Sequence, residues 1–230
     1  MEEDLAMKWE ALSLTEKEQG VVVISHSSKE RMVQQGQHCL LAMVIAERAV
    51  NKKAFKNTIA KVWKCTSWMQ FSKVGSNQYL VEFHLEQDLE QVLQGRPWCF
   101  DRWLVCLHSF DGKKSVKEIP FSMEIFWVQA HNTPFASMNI DVGQQIGNSI
   151  GKCLEVQADT RGICWGEFIR MKVELDITKP IQRGLFLTIE GKKSWIVLKY
   201  ERLPNLCFRC GCIKHNAKGC SVNNTCSEMR

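Results

Sequence analysis

The chain has 230 residues, 45% of them hydrophobic, which is too apolar for a disordered tail and enough for one large or two small packed domains. Thirty Lys and Arg against 25 Asp and Glu leave a net charge of +5, too mild a sum to name a polyanion partner, so the placing of the charge carries more than its total. No apolar run approaches the ~18 residues a membrane span needs, and the acidic start Met1-Glu2-Glu3-Asp4 lacks the order of a signal peptide, so a reducing nuclear or cytoplasmic setting is expected.

Residues 1–37 are polar apart from Val21-Val22-Val23-Ile24 and are expected to form a mobile arm with at most one strand or helix turn. The run Cys39 to Ala46 suits a buried strand. Asn51 can cap a helix to about Lys64, in which Phe55, Ile59 and Val62 share a face and Lys52, Lys53, Lys56, Lys61 and Lys64 supply cations. Strand-like runs at 68–74 and 78–85 flank Gly75-Ser76-Asn77, a hairpin signal. A second helix begins near Gln87 and stops at Gly95 and Pro97, before a strand from Trp103 to His108. The order strand, helix, strand, strand, helix, strand is the split βαβ arrangement of ferredoxin-like and RNA-recognition folds.

After a lysine-bearing linker, a second unit opens at Phe126-Trp127-Val128, with a helix over about 140–150 and a strand at 153–157. From Phe168 to Asp176 the pattern alternates: Ile169, Met171, Val173 and Leu175 face one way, Arg170, Lys172 and Glu174 the other. Two more strands, 185–189 and 195–200, turn at Glu190-Gly191-Lys192. The expected class is α+β: an N-terminal arm 1–37, an RRM-like/ferredoxin-like βαββαβ domain 38–110, a linker 111–122, a second smaller α+β unit 123–202, a CCHC zinc knuckle 203–222 and a tail 223–230.

The knuckle is the specific signal. Five of eleven cysteines fall in the last 24 residues, and Cys207, Cys210, His215 and Cys220 stand at the spacing C-x2-C-x4-H-x4-C. Three thiolates and an imidazole are a closed, structural donor set for one Zn2+. So short a segment has little core, so the ion supplies its folding energy, roughly 10–16 kcal/mol in comparable peptides. Cys212 and Cys226 are expected to stay off the metal. Around the ligands, Phe208 can stack on an unpaired base, and Arg209, Lys214, Lys218, Lys199 and Arg202 can meet phosphates. The alternative is that Phe208 packs on its own knuckle and the cations keep it soluble.

The segment Tyr200-Glu201-Arg202-Leu203-Pro204-Asn205-Leu206-Cys207-Phe208-Arg209-Cys210-Gly211 resembles the junction of a large plant family, in which an α+β domain of unknown function (family 4283) precedes a CCHC knuckle. Asn51 to Lys56, Leu93 to Trp98, Phe126 to Gln129 and Thr178 to Ile181 extend the resemblance over residues 35–222. Such proteins are similar to the first open reading frame product of plant LINE-type retrotransposons, which implies zinc and nucleic-acid binding and no established catalysis. One position departs: Lys214 stands before the ligand His where such knuckles commonly carry Gly. The sequence given ends ten residues past Cys220, and whether it is a functional protein or a truncated relic stays open.

In the first unit, the positions where an RNA-recognition strand carries stacking rings are Gln78 and Leu80, so its binding mode stays open. No Walker loop, H-E-x-x-H or G-x-S-x-G motif is present, so neither an enzyme nor a small-molecule substrate is expected. The expected partner is single-stranded RNA or DNA, with self-association open. An assembly scaffold clipped by structural zinc and a transposon remnant without function stand as the other readings.

Overall fold

The computed structural model describes residues 9, 13, 20–21, 26–109, 115–189, 191–213, 215 and 220. The first segments in chain order are α1 (His26–Gly36), β1 (Cys39–Val44), α2 (Lys52–Trp63), β2 (Met69–Gly75), β3 (Gln78–Phe83), α3 (Glu86–Gln94), β4 (Trp98–Phe100) and β5 (Trp103–Ser109). The predicted polar arm thus holds a helix, α1. The short strand β4, unforeseen in the sequence, pairs with β5 through Trp98, Cys99 and Phe100. Three residues are too few to show an alternating pattern.

Local chemistry sets these elements. The Asn51 side chain accepts the Ala54 N–H and caps α2 as expected. The buried stripe of α2 is Phe55, Ile59 and Trp63, whereas Val62 is exposed. Steps of four keep the first three on one line, and Val62 lies about 100° off it. Asp88 at the start of α3 accepts from the Thr66 N–H and hydroxyl and from the Ser67 N–H. Those bonds tie α3 to the loop after α2.

The five strands lie in the order β2-β3-β1-β5-β4, every pair antiparallel. Leu40, Ala42 and Val44 of β1 point toward the helices, into a core with Phe55, Trp63, Phe71, Tyr79 and Phe83. Period two sends Leu41 to the opposite face.

The second half repeats this order. It comprises β6 (Met123–His131), α4 (Ile140–Ile150), β7 (Lys152–Val156), β8 (Phe168–Asp176), β9 (Gly184–Ile189) and β10 (Lys192–Tyr200). Its sheet runs β7-β8-β6-β10-β9, strand for strand the order of the first, again antiparallel. The second unit has an equal sheet, but among the described residues no helix stands between β8 and β9 where α3 stands between β3 and β4. In β8, Ile169, Met171, Val173 and Leu175 are buried as the alternation predicts. Lys172 is buried as well, its Nζ donating to Gln94 Oε1 at 2.9 Å across the two halves.

Helix α4 is buried through Gly143, Ile146 and Gly147, with Val142 and Ile150 packed at the margin. A Cβ at Gly143 would come within 2.7 Å of Val156 Cγ1, and one at Gly147 within 2.7 Å of Cys153 Sγ, so the helix lies directly against β7. The core beneath it is completed from outside the unit. Leu41, Leu104 and Cys106 from the far face of the first sheet belong to it, with Ile119 and Phe121. The segment 111–122, expected as a polar linker, therefore places two residues in the shared core; its residues 111–114 lie outside those described. At the same junction, Glu124 Oε2 accepts the Leu107 N–H at 2.9 Å, and Arg96 Nη1 lies 3.5 Å from Oε1. Burial pushes the Glu124 carboxyl above its usual range, against the pull of Arg96 and of the N–H groups of Ile125 and Leu107. Among the described residues, no helix is long and apolar enough to cross a membrane.

Candidate metal centre

The chain leaves β10 through Glu201 and Arg202 and turns into the cysteine segment. The Cys207 N–H donates to the Cys212 carbonyl at 2.9 Å, and the Gly211 N–H to the Cys207 carbonyl at 2.7 Å, closing a tight turn around the first ligand pair. Gly211 has φ +77°, a left-handed conformation that glycine adopts without strain. Its carbonyl accepts the Ile181 N–H at 2.8 Å, joining the turn to the loop after β8.

Within this turn, Cys207, Cys210, His215 and Cys220 present one ligand atom each, all within 4.8 Å of one another. A tetrahedral zinc site with bonds near 2.3 Å has sulfur–sulfur edges of about 3.8 Å, so the quartet fits that ion. Cys210 Sγ lies 3.2 Å from His215 Nε2, which marks Nε2 as the nitrogen facing the centre. Burial raises the Cys207 thiol, but N–H groups of Cys210 and Arg209 and the side chains of Cys210 and Cys220 prevail and hold it below its ordinary value. Lowering a thiol in this way favours the thiolate, the form that binds metal. Cys212 is outside the quartet, and its carbonyl serves the turn; Cys226 lies outside the described residues.

Residues 32–117 match a domain of unknown function, DUF4283, and residues 175–222 match a zinc knuckle. The chain carries a DUF4283 domain followed by a zinc knuckle. The knuckle match begins at the end of β8, so it takes in the β9–β10 hairpin as well as the four ligands. An uncharacterized protein of Arabidopsis thaliana is 26% identical over 136 residues, 58% of this chain and 42% of that protein, so the chain spans less than half of that relative's length. Among solved structures, the first two RRM domains of yeast poly(U) binding protein share 12% identity, over 71% of this chain and 98% of that one, with a TM-score of 0.24. At that score the likeness carries neither fold nor function across. Neither family match names a catalytic activity.

The knuckle is docked on the body of the molecule. Ile213, between the ligands Cys210 and His215, is 1% exposed and lies in the core shared with Phe126, Met171 and Ile177. Leu206 and Ile181 pack against the same core. The expectation of a knuckle with little core of its own misses this plug. The sequence signal was available, since Ile213 is an apolar residue inside a polar, metal-ligating loop.

The six residues expected at a nucleic-acid surface divide. Phe208 is 92% exposed, and Arg209 beside it is exposed too. Arg202 turns to the first unit: Nη1 donates to the Gly95 carbonyl at 2.9 Å, and the guanidinium carbon stands 5.4 Å from the Trp98 ring centre. Lys199 lies on β10 opposite Gln129. Burial first and the Lys199 charge second keep nearby His131 below its usual pKa. Lys214 and Lys218 lie outside the described residues. In the first unit, Leu80 packs against the shared core beside Leu41 and Cys106, so the sheet face that an RNA-recognition domain leaves open is here largely occupied.

Proposed function

We propose that this chain is a zinc-dependent, non-catalytic binder of single-stranded RNA or DNA, of retrotransposon descent. The observation that carries the reading is the Phe208 ring, held almost wholly in water on a module anchored by Ile213. A buried Phe would serve packing. An exposed ring between two metal ligands offers a flat π-face to an unpaired base, a contact that tolerates any sequence. Arg209, Lys214 and Lys218 lie within ten residues of it and supply charge for phosphates.

When bound, zinc supplies structural cross-linking only, because four protein ligands leave it no position for water or substrate. Cys207 and Cys210 hold the turn that presents Phe208 between them, and Ile213 fixes that turn to the second unit. Plant descent from a LINE-type element draws on the junction motif from Tyr200 to Gly211 and on the Arabidopsis relative. Fluorescence anisotropy on labelled RNA and DNA single strands, with and without a chelator, tests the reading. Salt-sensitive binding that disappears on chelation is expected; absence of affinity at low salt for either strand rejects it.

An assembly role has one observation in its favour: Phe135 and Trp165 stack at 5.3 Å while both remain about 60% exposed (62% and 60%). Such rings suit a second protein surface. Sedimentation that stays monomeric over a wide concentration range removes self-association.

A further inference from the structure

A cavity of about 600 Å3 opens between the end of α2, the β4–β5 turn and the segment that leads into the knuckle. Among the described residues that line it, three are cations, Lys64, Arg102 and Arg202, and none is a carboxylate. All three have positive φ, at 51°, 64° and 51°. Lys64 follows the last turn of α2, where glycine is the usual residue. Arg102 is the second residue of a two-residue hairpin turn whose first, Asp101, also has positive φ, a place that favours glycine. At these sites the chain accepts backbone strain that glycine would avoid, and each time the side chain it keeps is a cation at the same opening.

The remaining lining is mostly apolar, with Gln91 its one amide among the described residues. Trp98 is fixed by its Nε1–H, which donates to the Val92 carbonyl at 2.8 Å, while Val62 and Leu203 are exposed at the rim. Neither Lys64 nor Arg102 forms an ion pair with a carboxylate among the described residues. Phe208 follows the lining residue Pro204 by four positions, so a ligand leaving the cavity along this segment meets the knuckle next.

We propose that this cavity holds one nucleotide of the bound single strand, its base against Trp98, Val62 and Leu203 and its phosphates against Lys64, Arg102 and Arg202. The proposal rests on the nucleic-acid reading above and adds a second contact point outside the knuckle. An acidic peptide would satisfy the cations but leave the apolar wall unmatched, so a base-bearing polyanion is favoured.

The test uses the full zinc-loaded chain and labelled oligo(U) and oligo(dT) in anisotropy titrations at several salt concentrations. Lys64→Asn with Arg102→Asn removes two cations and leaves a residue that tolerates left-handed φ. Affinity at low salt is expected to fall on the order of tenfold, and the slope of log K on log salt to flatten by about 1.4, two phosphates' worth. Val62→Glu, which sets a carboxylate at the exposed rim, is expected to weaken binding likewise and guards against a fold defect in the double variant. Unchanged affinity and slope in both variants, with Phe208→Ala still weakened, overturns the cavity while the knuckle reading stands. Absence of oligonucleotide binding by the unaltered chain overturns both. Competition by free UMP as effective as by oligo(U) overturns the strand assignment, and displacement of the oligonucleotide by polyglutamate at equal charge overturns the preference for nucleic acid.

Discussion

The two halves of the molecule share one strand order and close their cores differently. The first lays α2 and α3 over its sheet and fills the space with rings: Phe55 stacks on Tyr79 at 4.6 Å, and Trp63 lies 5.8 Å from Phe83. Among the described residues the second has one α-helix, α4, pressed close by Gly143 and Gly147, and it borrows the rest of its core. The core of the second half takes in Ile177, Ile213 from the knuckle, and Leu41, Leu104 and Cys106 from the far face of the first sheet. A sheet of given topology therefore needs its buried face covered, and the cover need not be a helix or be local in sequence.

That contrast breaks most sharply at the metal. Cys207→Ser with Cys210→Ser, or chelation, removes the metal's folding contribution, roughly 10–16 kcal/mol in zinc-finger peptides. Amide exchange is expected to rise in β6, β8 and α4 while α2 stays protected; equal loss in both halves, or in neither, refutes the borrowed core. Ile213→Ala comes next, with destabilisation of about 2–4 kcal/mol expected by denaturant titration. A value near zero would mean that the knuckle contributes nothing to the second core.

Phe208→Ala separates stability from binding. The melting temperature is expected to hold, and affinity for single strands to drop by about 1–3 kcal/mol. The smallest effect concerns the junction of the halves. Because the folded Glu124 carboxyl titrates above its unfolded value of about 4.3, the native state binds the extra proton between those two values, so stability falls as pH rises through that window. Glu124→Gln is expected to flatten the stability–pH curve there; an unchanged slope sinks the assignment.

Much of this was legible in the chain itself. The first-unit order, the Asn51 cap, the alternation of β8 and the four ligands all rest on local signals: a period, a capping side chain, a spacing. What escaped is non-local. Strand β4 is too short to show a period, and Trp63 displaced Val62 because the two helical faces differ by one residue step. The recurrence of strand order leaves no trace at short period, since pairing between β6, β8 and β10 depends on residues tens of positions apart. Ile213 looked like part of a small self-sufficient loop because its partners, Phe126 and Met171, belong to another element. The cations of the cavity were visible one by one, but their convergence needs three turns folded together.

The placement of Leu41, Leu104 and Cys106 has a practical corollary. Residues 38–110 look like an excisable module, yet cutting after them would strip the cover from one whole side of the sheet and leave an apolar slab in water. Such a fragment is a candidate for precipitation or edge-to-face clumping, so a minimal piece for biophysical work should run through to the last ligand cysteine.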